Sequence, residues 1–176
     1  MKILHLEDNL HDAELVRAIL QEEWPGCHIQ TVAGEPDFRG ALRGGEFDVI
    51  ISDFTLVQFD GASALKLAQQ LAPDTPFIYV SGTIGEERAI EAVHAGAADY
   101  VLKDRMQRLT TAIRRALRES GERRDRRQAE IALRSSNERF QLVARATNDA
   151  VWDWDLENDT IWWNESHSIL FRYPLN

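Results

Sequence analysis

Short apolar runs alternate with longer amphipathic stretches along the first hundred residues. The five runs cover residues 3–6, 28–32, 49–52, 77–81 and 100–103. Runs of this length that are almost entirely apolar are typical of strands buried on both faces of a sheet. Their alternation with helical patterns predicts an α/β fold, in which a parallel sheet is covered by helices on both sides.

Apolar residues at three-and-four spacing mark the first helix of this pattern. They are Leu15, Val16, Ile19 and Leu20, and a Pro25-Gly26 pair stops the helix after them. The spacing predicts that all four side chains face the core. Similar patterns end before Pro73 and Gly96, which gives further helices between the later strands.

From residue 105 the pattern is helical and continues to about residue 147. At ~1.5 Å per residue, one helix of that span would be about 60 Å long, which suits a connector between modules. Residues 118–128 are rich in arginine, and their charges alternate in sign without an apolar seam. That composition favours a solvated helix over a coiled coil or a nucleic-acid surface, although a DNA-binding regulator stays open as an alternative.

The last segment has the pattern of a β-hairpin. Trp152 and Trp154 lie on one predicted strand, Trp162 and Trp163 on the other, and Asn158-Asp159 forms the turn. A short helix is predicted over residues 165–171. Two strands and one helix do not make a stable domain, and four clustered indoles predict burial against a partner chain or a neighbouring helix.

Composition and charge narrow the class of protein. The chain has 176 residues, of which 44% are apolar and 28% charged, an ordinary globular balance. Its single cysteine, Cys27, excludes an intramolecular disulfide framework, and no apolar run approaches the ~20 residues of a membrane span. We therefore expect a cytoplasmic protein that does not enter a membrane. The net charge of −9 is uneven, with 17 acidic and 6 basic residues over positions 1–102 and 12 basic and 6 acidic over 103–140.

Polar side chains stand where four of the apolar runs end. Asp53 closes the run over residues 48–53, Glu7 and Asp8 follow the first run, Ser81 closes the fourth, and Lys103 closes the fifth. Because the carboxyl ends of parallel strands meet at one edge of a sheet, these five side chains are expected to converge. Each one singly would be interpreted as a cap or a loop residue, but the joint arrangement predicts a site.

The chemistry of that predicted site is phosphoryl transfer with a divalent cation. Hard cations such as magnesium prefer oxygen ligands, and clustered carboxylates without a cation would repel one another. A carboxylate can attack phosphorus, provided that cations neutralise the transferring group. Asp53 would attack, while Lys103 and Ser81 would hold the phosphoryl oxygens. The alternative is a phosphohydrolase resembling the haloacid-dehalogenase type, but those enzymes carry a second Asp where this chain has Thr55.

Residues 1–118 resemble the receiver domain of two-component response regulators. The resemblance implies a doubly wound (βα)5 flavodoxin-like fold with strand order 2-1-3-4-5. It also implies that Asp53 is the phosphoacceptor and takes its phosphoryl group from a histidine kinase or a phosphotransfer protein. Asp8 would bind Mg²⁺ (or Mn²⁺) directly and Glu7 through water, and Asp53 and the Thr55 backbone carbonyl would complete the protein ligands.

The same resemblance assigns a switch to the fourth and fifth strands. Ser81 would move toward the phosphoryl group, Lys103 would pair with it, and Tyr100 would swing inward with Ser81. The fourth and fifth helices would carry the signal. Two residues depart from the family pattern. Glu7 replaces the more usual Asp. Asp104 replaces the proline that commonly follows the lysine, where the family often has a cis peptide, and this leaves the isomer of the Lys103–Asp104 bond open.

Residues from about 130 onward resemble the opening of a PAS sensor domain. The motifs are a leading helix over residues 133–140, then residues 150–155, 162–165 and 170–173. We therefore expect a receiver domain over 1–118, a helical linker over 119–138 and a PAS fragment over 139–176. The parent protein would be a histidine kinase or a cyclic-dinucleotide enzyme, with no catalytic module in this chain. A homodimer is expected through the fourth and fifth helices or through the linker and PAS segment.

Overall fold

The structure, a computed structural model, describes residues 1–57, 59–82, 86–146, 150–164 and 167. The chain divides into two compact units, Met1–Arg124 and Asp125–Asn176. The strands of the first unit are β1 (Lys2–Leu6), β2 (His28–Val32), β3 (Val49–Asp53), β4 (Phe77–Ser81) and β5 (Asp99–Leu102). The helices are α1 (Leu10–Glu23), α2 (Glu35–Gly44), α3 (Gly61–Leu71), α4 (Glu86–His94) and α5 (Arg108–Ala146), and a 3-10 turn covers Lys103–Arg105.

The five strands form one parallel sheet in the order β2-β1-β3-β4-β5. This order and the long C-terminal helix confirm the predicted doubly wound fold. Leu6 of β1 is paired with Ser52 of β3, so the residues that follow them, Glu7 and Asp53, are neighbours across the sheet. The direction in which successive strands are added changes between β1 and β3. Ligands of open α/β sheets bind at such positions, beyond the carboxyl ends of the strands.

The core has two layers because successive strand residues point to opposite faces of the sheet. Leu4 and Leu6 belong to the cluster that contains Phe38 of α2 and Leu65 of α3. Ile3 belongs to the opposite cluster, which contains Val16 of α1 together with Leu109 and Ile113 of α5. The first turns of α5 are therefore part of the core, whereas the same helix continues into the second unit.

The predicted core face of α1 is wrong at one position. Val16 and Leu20 are buried with Ala13, and Ile19 packs partly against them, but Leu15 is 42% exposed. At about 100° per residue, Leu15 lies on the side of Val16 that faces away from Ala13 and Leu20. The spacing among the four apolar residues was compatible with two faces, and the sheet covers the one that contains Ala13.

The second unit contains the predicted hairpin, formed by β6 (Trp152–Asp155) and β7 (Thr160–Trp163). Trp152 is paired with Trp163, and Asp159 in the turn has a left-handed φ of 50°. The four tryptophans of the hairpin are between 38% and 55% exposed. Apart from His167, the short helix expected over 165–171 lies outside the described residues. The expected domain boundaries after residues 118 and 138 both fall within α5.

In the part of the chain that the structure describes, no helix combines the length and the apolar composition that a bilayer crossing requires.

Gly61 lies where two parts of the core approach closely. A Cβ built on Gly61 would be 2.9 Å from the Phe54 Cα and 2.9 Å from the Tyr79 ring, and the Tyr79 hydroxyl donates to the Gly61 carbonyl at 2.7 Å. A Cβ on Gly121, in α5, would meet nothing within 4 Å. The two glycines therefore provide a matched pair for testing the packing.

We expect Gly61→Ala to lower the free energy of unfolding by about 1–3 kcal/mol, because the Phe54 backbone cannot move aside without disturbing the core. Gly121→Ala should instead raise it by up to about 1 kcal/mol, since alanine is the better helix former and has open space there. Urea unfolding of both variants measures the two changes. Equal effects of the two substitutions would contradict the close approach at Gly61.

His5 is a fully buried polar residue in the middle of β1. Its side chain is 0% exposed, and neither ring nitrogen has a hydrogen-bond partner among the described residues. Burial, with smaller contributions from the charges of Lys103 and Arg17, lowers the pKa of His5 to about 4. The folded chain therefore resists protonation of this ring at pH values where an exposed histidine accepts a proton.

The unfolding free energy should consequently fall as the pH drops from about 6.5 to 4, because His5 binds a proton in the unfolded chain but not in the folded chain. The loss attributable to His5 should reach about 3 kcal/mol at the lower end. Urea titrations of wild type and His5→Leu between pH 7 and 4 measure it, with the exposed His28→Gln as control. His5→Leu should remove this part of the slope and be neutral or stabilising at pH 7. Parallel pH profiles for wild type and His5→Leu would count against it.

Candidate functional site

The carboxyl edge of the sheet brings together residues from four strand ends. Glu7 directly follows β1, Asp53 ends β3, Ser81 ends β4 and Lys103 directly follows β5. Glu7, Asp53 and Ser81 are 3%, 7% and 1% exposed. The parallel register, rather than a loop, thus fixes the positions of these side chains.

The Lys103 ammonium is the centre of this group. Its Nζ donates to Oδ2 of Asp53 at 2.8 Å and to Oε2 of Glu7 at 2.9 Å, and it also donates to Oδ2 of Asp12 at 2.6 Å. Burial lowers the pKa of Lys103, but the hydrogen bonds that it donates to Asp12, Asp53 and Glu7 outweigh burial and raise the pKa above its usual value. Lys103 is therefore a fixed positive charge among three carboxylates.

Glu7 is held by both of its carboxylate oxygens. Oε1 accepts from the backbone N–H of Asn9 at 3.0 Å, while Oε2 accepts from Lys103. Burial raises the pKa of the Glu7 carboxyl, and these two bonds and the Lys103 charge only partly offset the effect. The longer side chain at this position thus reaches the lysine and remains anchored to the start of α1.

Asp12 is a site residue that sequence reasoning missed, because it lies in the first turn of α1 and not at a strand end. Asn9 caps that helix, and its side chain accepts from the backbone N–H groups of His11 and Asp12. Carboxylate oxygens of Glu7, Asp12 and Asp53 lie within 4.8 Å of one another. The signal available in the sequence was the N-cap residue, which directs the first turn of α1 toward the strand ends.

Asp8 and Thr55 have other contacts. Asp8 Oδ2 accepts from the backbone N–H of Val57 at 2.7 Å, which ties the loop after β3 to the loop after β1. The Thr55 backbone N–H donates to Oδ1 of Asp53 at 3.1 Å. Asp53 therefore has one oxygen held by the backbone and the other by Lys103. The structure brings Glu7 and Asp53 into contact with Lys103. Among the described residues, the acids whose oxygens cluster there are Glu7, Asp12 and Asp53, and Asp8 is not one of them.

Ser81 and Tyr100 occupy the neighbouring strands β4 and β5. Ser81 is paired with Leu102, and Tyr100 with Tyr79. Tyr100 packs partly against the core, and burial raises the pKa of its hydroxyl. The Lys103–Asp104 peptide is trans, since no cis peptide bond occurs among the described residues. Asp104 therefore follows the site lysine without the cis bond that was left open above.

Comparison with known proteins identifies this arrangement. The family model of the response regulator receiver domain matches residues 3–114. The chain belongs to this receiver family. Receiver domains are the phosphoacceptor modules of two-component signalling, and they interact with histidine kinases or phosphotransfer proteins. The sequence-based assignment of the fold and family is thereby confirmed.

Individual relatives share the receiver domain, and two of the three described here extend well beyond it. The transcriptional regulatory protein ZraR of Salmonella typhimurium is 28% identical over 123 residues, which are 68% of this chain and 27% of ZraR. The structure of NtrX from Brucella abortus is 26% identical with a TM-score of 0.66, over 73% of this chain and 29% of that one. A CheY-like receiver domain from Methanospirillum hungatei has a TM-score of 0.61 at 24% identity, over 69% and 97% of the two chains. The chain thus spans about a quarter of the length of its curated relative ZraR.

Removing the charge of Lys103 should destabilise this receiver domain. Lys103→Met would leave three carboxylates without their shared cation, so the unfolding free energy at pH 7 should fall by about 1–3 kcal/mol. Because protonation relieves the repulsion, the deficit should shrink as the pH falls toward 4. Denaturant unfolding at both pH values measures it. The exposed Lys66→Met is the control and should change stability by less than about 0.5 kcal/mol. A Lys103→Met deficit that is independent of pH would contradict the electrostatic explanation.

Proposed function

We propose that this chain is the phosphoacceptor module of a two-component phosphorelay, and that Asp53 is the residue that carries the phosphoryl group. The observation that carries the proposal is the contact of Asp53 with Lys103 at the carboxyl edge of the sheet. Membership of the receiver family supports the phosphoacceptor role over a free-standing phosphohydrolase. The donor would be a histidine kinase or a phosphotransfer protein, which presents a phosphorylated histidine.

The geometry of Asp53 suits nucleophilic attack on phosphorus. The Thr55 backbone N–H and the Lys103 ammonium hold its two oxygens, so the carboxylate is fixed in orientation. One carboxylate oxygen would form a bond to phosphorus while the bond from phosphorus to the donor imidazole nitrogen breaks. The imidazole leaves with the electron pair and takes up a proton, and the product is an acyl phosphate on Asp53. Lys103 would move its contact from the carboxylate to a phosphoryl oxygen.

A divalent cation, Mg²⁺ (or Mn²⁺), fits the donor set at this edge. The oxygens of Glu7, Asp12 and Asp53 lie within 4.8 Å of one another, and carboxylates are the ligands that hard cations prefer. We propose that Asp8, Asp53 and the Thr55 backbone carbonyl hold the cation, with Glu7 acting through water. A bound cation would supply charge neutralisation for the transferring phosphoryl oxygens. The chain's own part is to hold the carboxylates at the edge of the sheet beside Lys103.

The response to phosphorylation would pass from Ser81 and Tyr100 to the later helices. The buried Ser81 hydroxyl would turn toward the phosphoryl group, and Tyr100 would follow it inward. The first turns of α5 pack in the core, and this same helix extends to Ala146, which supports a route through α5 to a following module.

The output and the assembly are proposals of the same kind. The hairpin Trp152–Trp163, together with its motifs, supports a PAS-containing output that begins near residue 139. Exposed apolar side chains on α4, Ile90 and Val93, and on the hairpin support a homodimer. The single cysteine, Cys27, is free, which agrees with a reducing cytoplasmic location.

Labelling with acetyl phosphate and Mg²⁺ tests the assignment of Asp53. Intact-mass measurement should show one added phosphoryl group on wild type and none on Asp53→Asn, because the amide cannot form the acyl phosphate. The control Asp37→Asn changes an exposed acid of α2 and should be labelled like wild type.

Labelling of Asp53→Asn at the wild-type level would refute the assignment. Sustained hydrolysis of a generic phosphate ester by wild type, lost in Asp53→Asn, would favour the phosphohydrolase alternative. A single stoichiometric phosphorylation without such turnover is the result that we expect.

A further inference from the structure

Asp12 makes the shortest of the three contacts with Lys103. Its Oδ2 lies 2.6 Å from Nζ, against 2.8 Å for Asp53 and 2.9 Å for Glu7. The Asp12 side chain is 25% exposed, whereas those of Asp53 and Glu7 are 10% and 1% exposed. It also comes from a different element, because α1 supplies it and the strand ends supply the other two. Asp12 is thus the outermost partner of the lysine.

The number of donors on the lysine makes this contact consequential. An ammonium group has three N–H donors, and Lys103 donates one hydrogen bond to each of the three carboxylates. Any donor engaged by Asp12 is withdrawn from Glu7 and Asp53. Without Asp12, the whole positive charge would be shared between the two carboxylates that a divalent cation and a phosphoryl group also need. A carboxylate neutralised by an ammonium is a weaker ligand and a weaker nucleophile.

We propose that Asp12 is a positioning residue that draws the Lys103 ammonium partly away from Asp53 and Glu7, and so keeps these carboxylates available to the divalent cation and to the phosphoryl donor. The inference rests on the proposed function, because it assigns a regulator to the same site. Asp12 acts through Lys103 and need not touch the cation or the phosphoryl group. Asn9 fixes it for this task by capping the first turn of α1.

A double-mutant cycle on cation binding separates this role from plain charge attraction. Mn²⁺ binding to the full chain is followed by the electron paramagnetic resonance signal of the free ion, for wild type, Asp12→Asn, Lys103→Met and the double variant. Asp12→Asn should weaken Mn²⁺ binding roughly fivefold or more when Lys103 is present, and by about twofold or less when Lys103 is Met. Lys103→Met alone should strengthen binding, because a competing cation is removed. Glu14→Gln removes the same charge from an exposed position of α1 and should change binding by less than about twofold.

The lysine itself gives a second readout that needs no Lys103 variant. The chain contains three lysines, so the ammonium signals in a ¹H–¹⁵N spectrum are few. The Lys103 signal should be protected from exchange in wild type and Glu14→Gln, and should shift and lose protection in Asp12→Asn. Asp12→Glu, which keeps the charge, should retain part of the protection.

The outcomes distinguish the inference from the function on which it rests. If Asp12→Asn weakens Mn²⁺ binding by the same factor with and without Lys103, or leaves the Lys103 signal unchanged, Asp12 does not act through the lysine and the inference is wrong. If wild type binds no Mn²⁺ and is not labelled by acetyl phosphate, the proposed function fails and the inference fails with it. Normal labelling with an additive cycle would overturn the inference alone.

Discussion

The contact of one ammonium with three carboxylates is the constraint on which the rest of the site depends. Carboxylate oxygens of Glu7, Asp12 and Asp53 lie within 4.8 Å of one another in a partly buried position, and negative charges that close repel one another unless a cation lies among them. Lys103 supplies that cation from β5, two strands away from Asp53 and three from Glu7 in the sheet. The strand order 2-1-3-4-5 therefore determines which charged residues meet at this edge of the sheet.

The fold could be predicted because its central strands β1, β3 and β4 are, apart from Lys2, buried on both faces. Four of the five apolar runs ended at polar residues, and the five strand positions agree with the structure to within about one residue. Leu15 is a position at which apolar spacing alone gave the wrong prediction. Apolar spacing on a single helix does not say which of two adjacent faces the sheet covers, and only the tertiary packing against Ile3 and Ile113 decides it.

The site residues likewise fall into two groups, those that the sequence could place and those that it could not. Residues at strand ends could be placed together from the sequence, because parallel strands share one edge and the residues that end the apolar runs could be identified. Asp12 could not, since an acidic residue in the first turn of a helix is most often explained by the helix dipole alone. The side chain of Asp8 illustrates the converse case: its position was predicted, but its bond to the Val57 backbone depends on a loop conformation that no periodic pattern encodes.

The long helix α5 shows how the receiver domain can be connected to another module without a continuous apolar seam. Ion pairs at four-residue spacing recur along it, between Arg118 and Glu122, Arg126 and Glu130, and Arg134 and Glu138. Each exposed pair contributes at most about 0.3–0.5 kcal/mol, so together they support a solvated helix but cannot hold it against large forces. The firm attachment is the buried face around Leu109 and Ile113, which packs against the sheet that carries Asp53. The start of α5 and the strand that ends at Asp53 thus belong to the same packed core, whereas the later turns of the helix depend on exposed ion pairs.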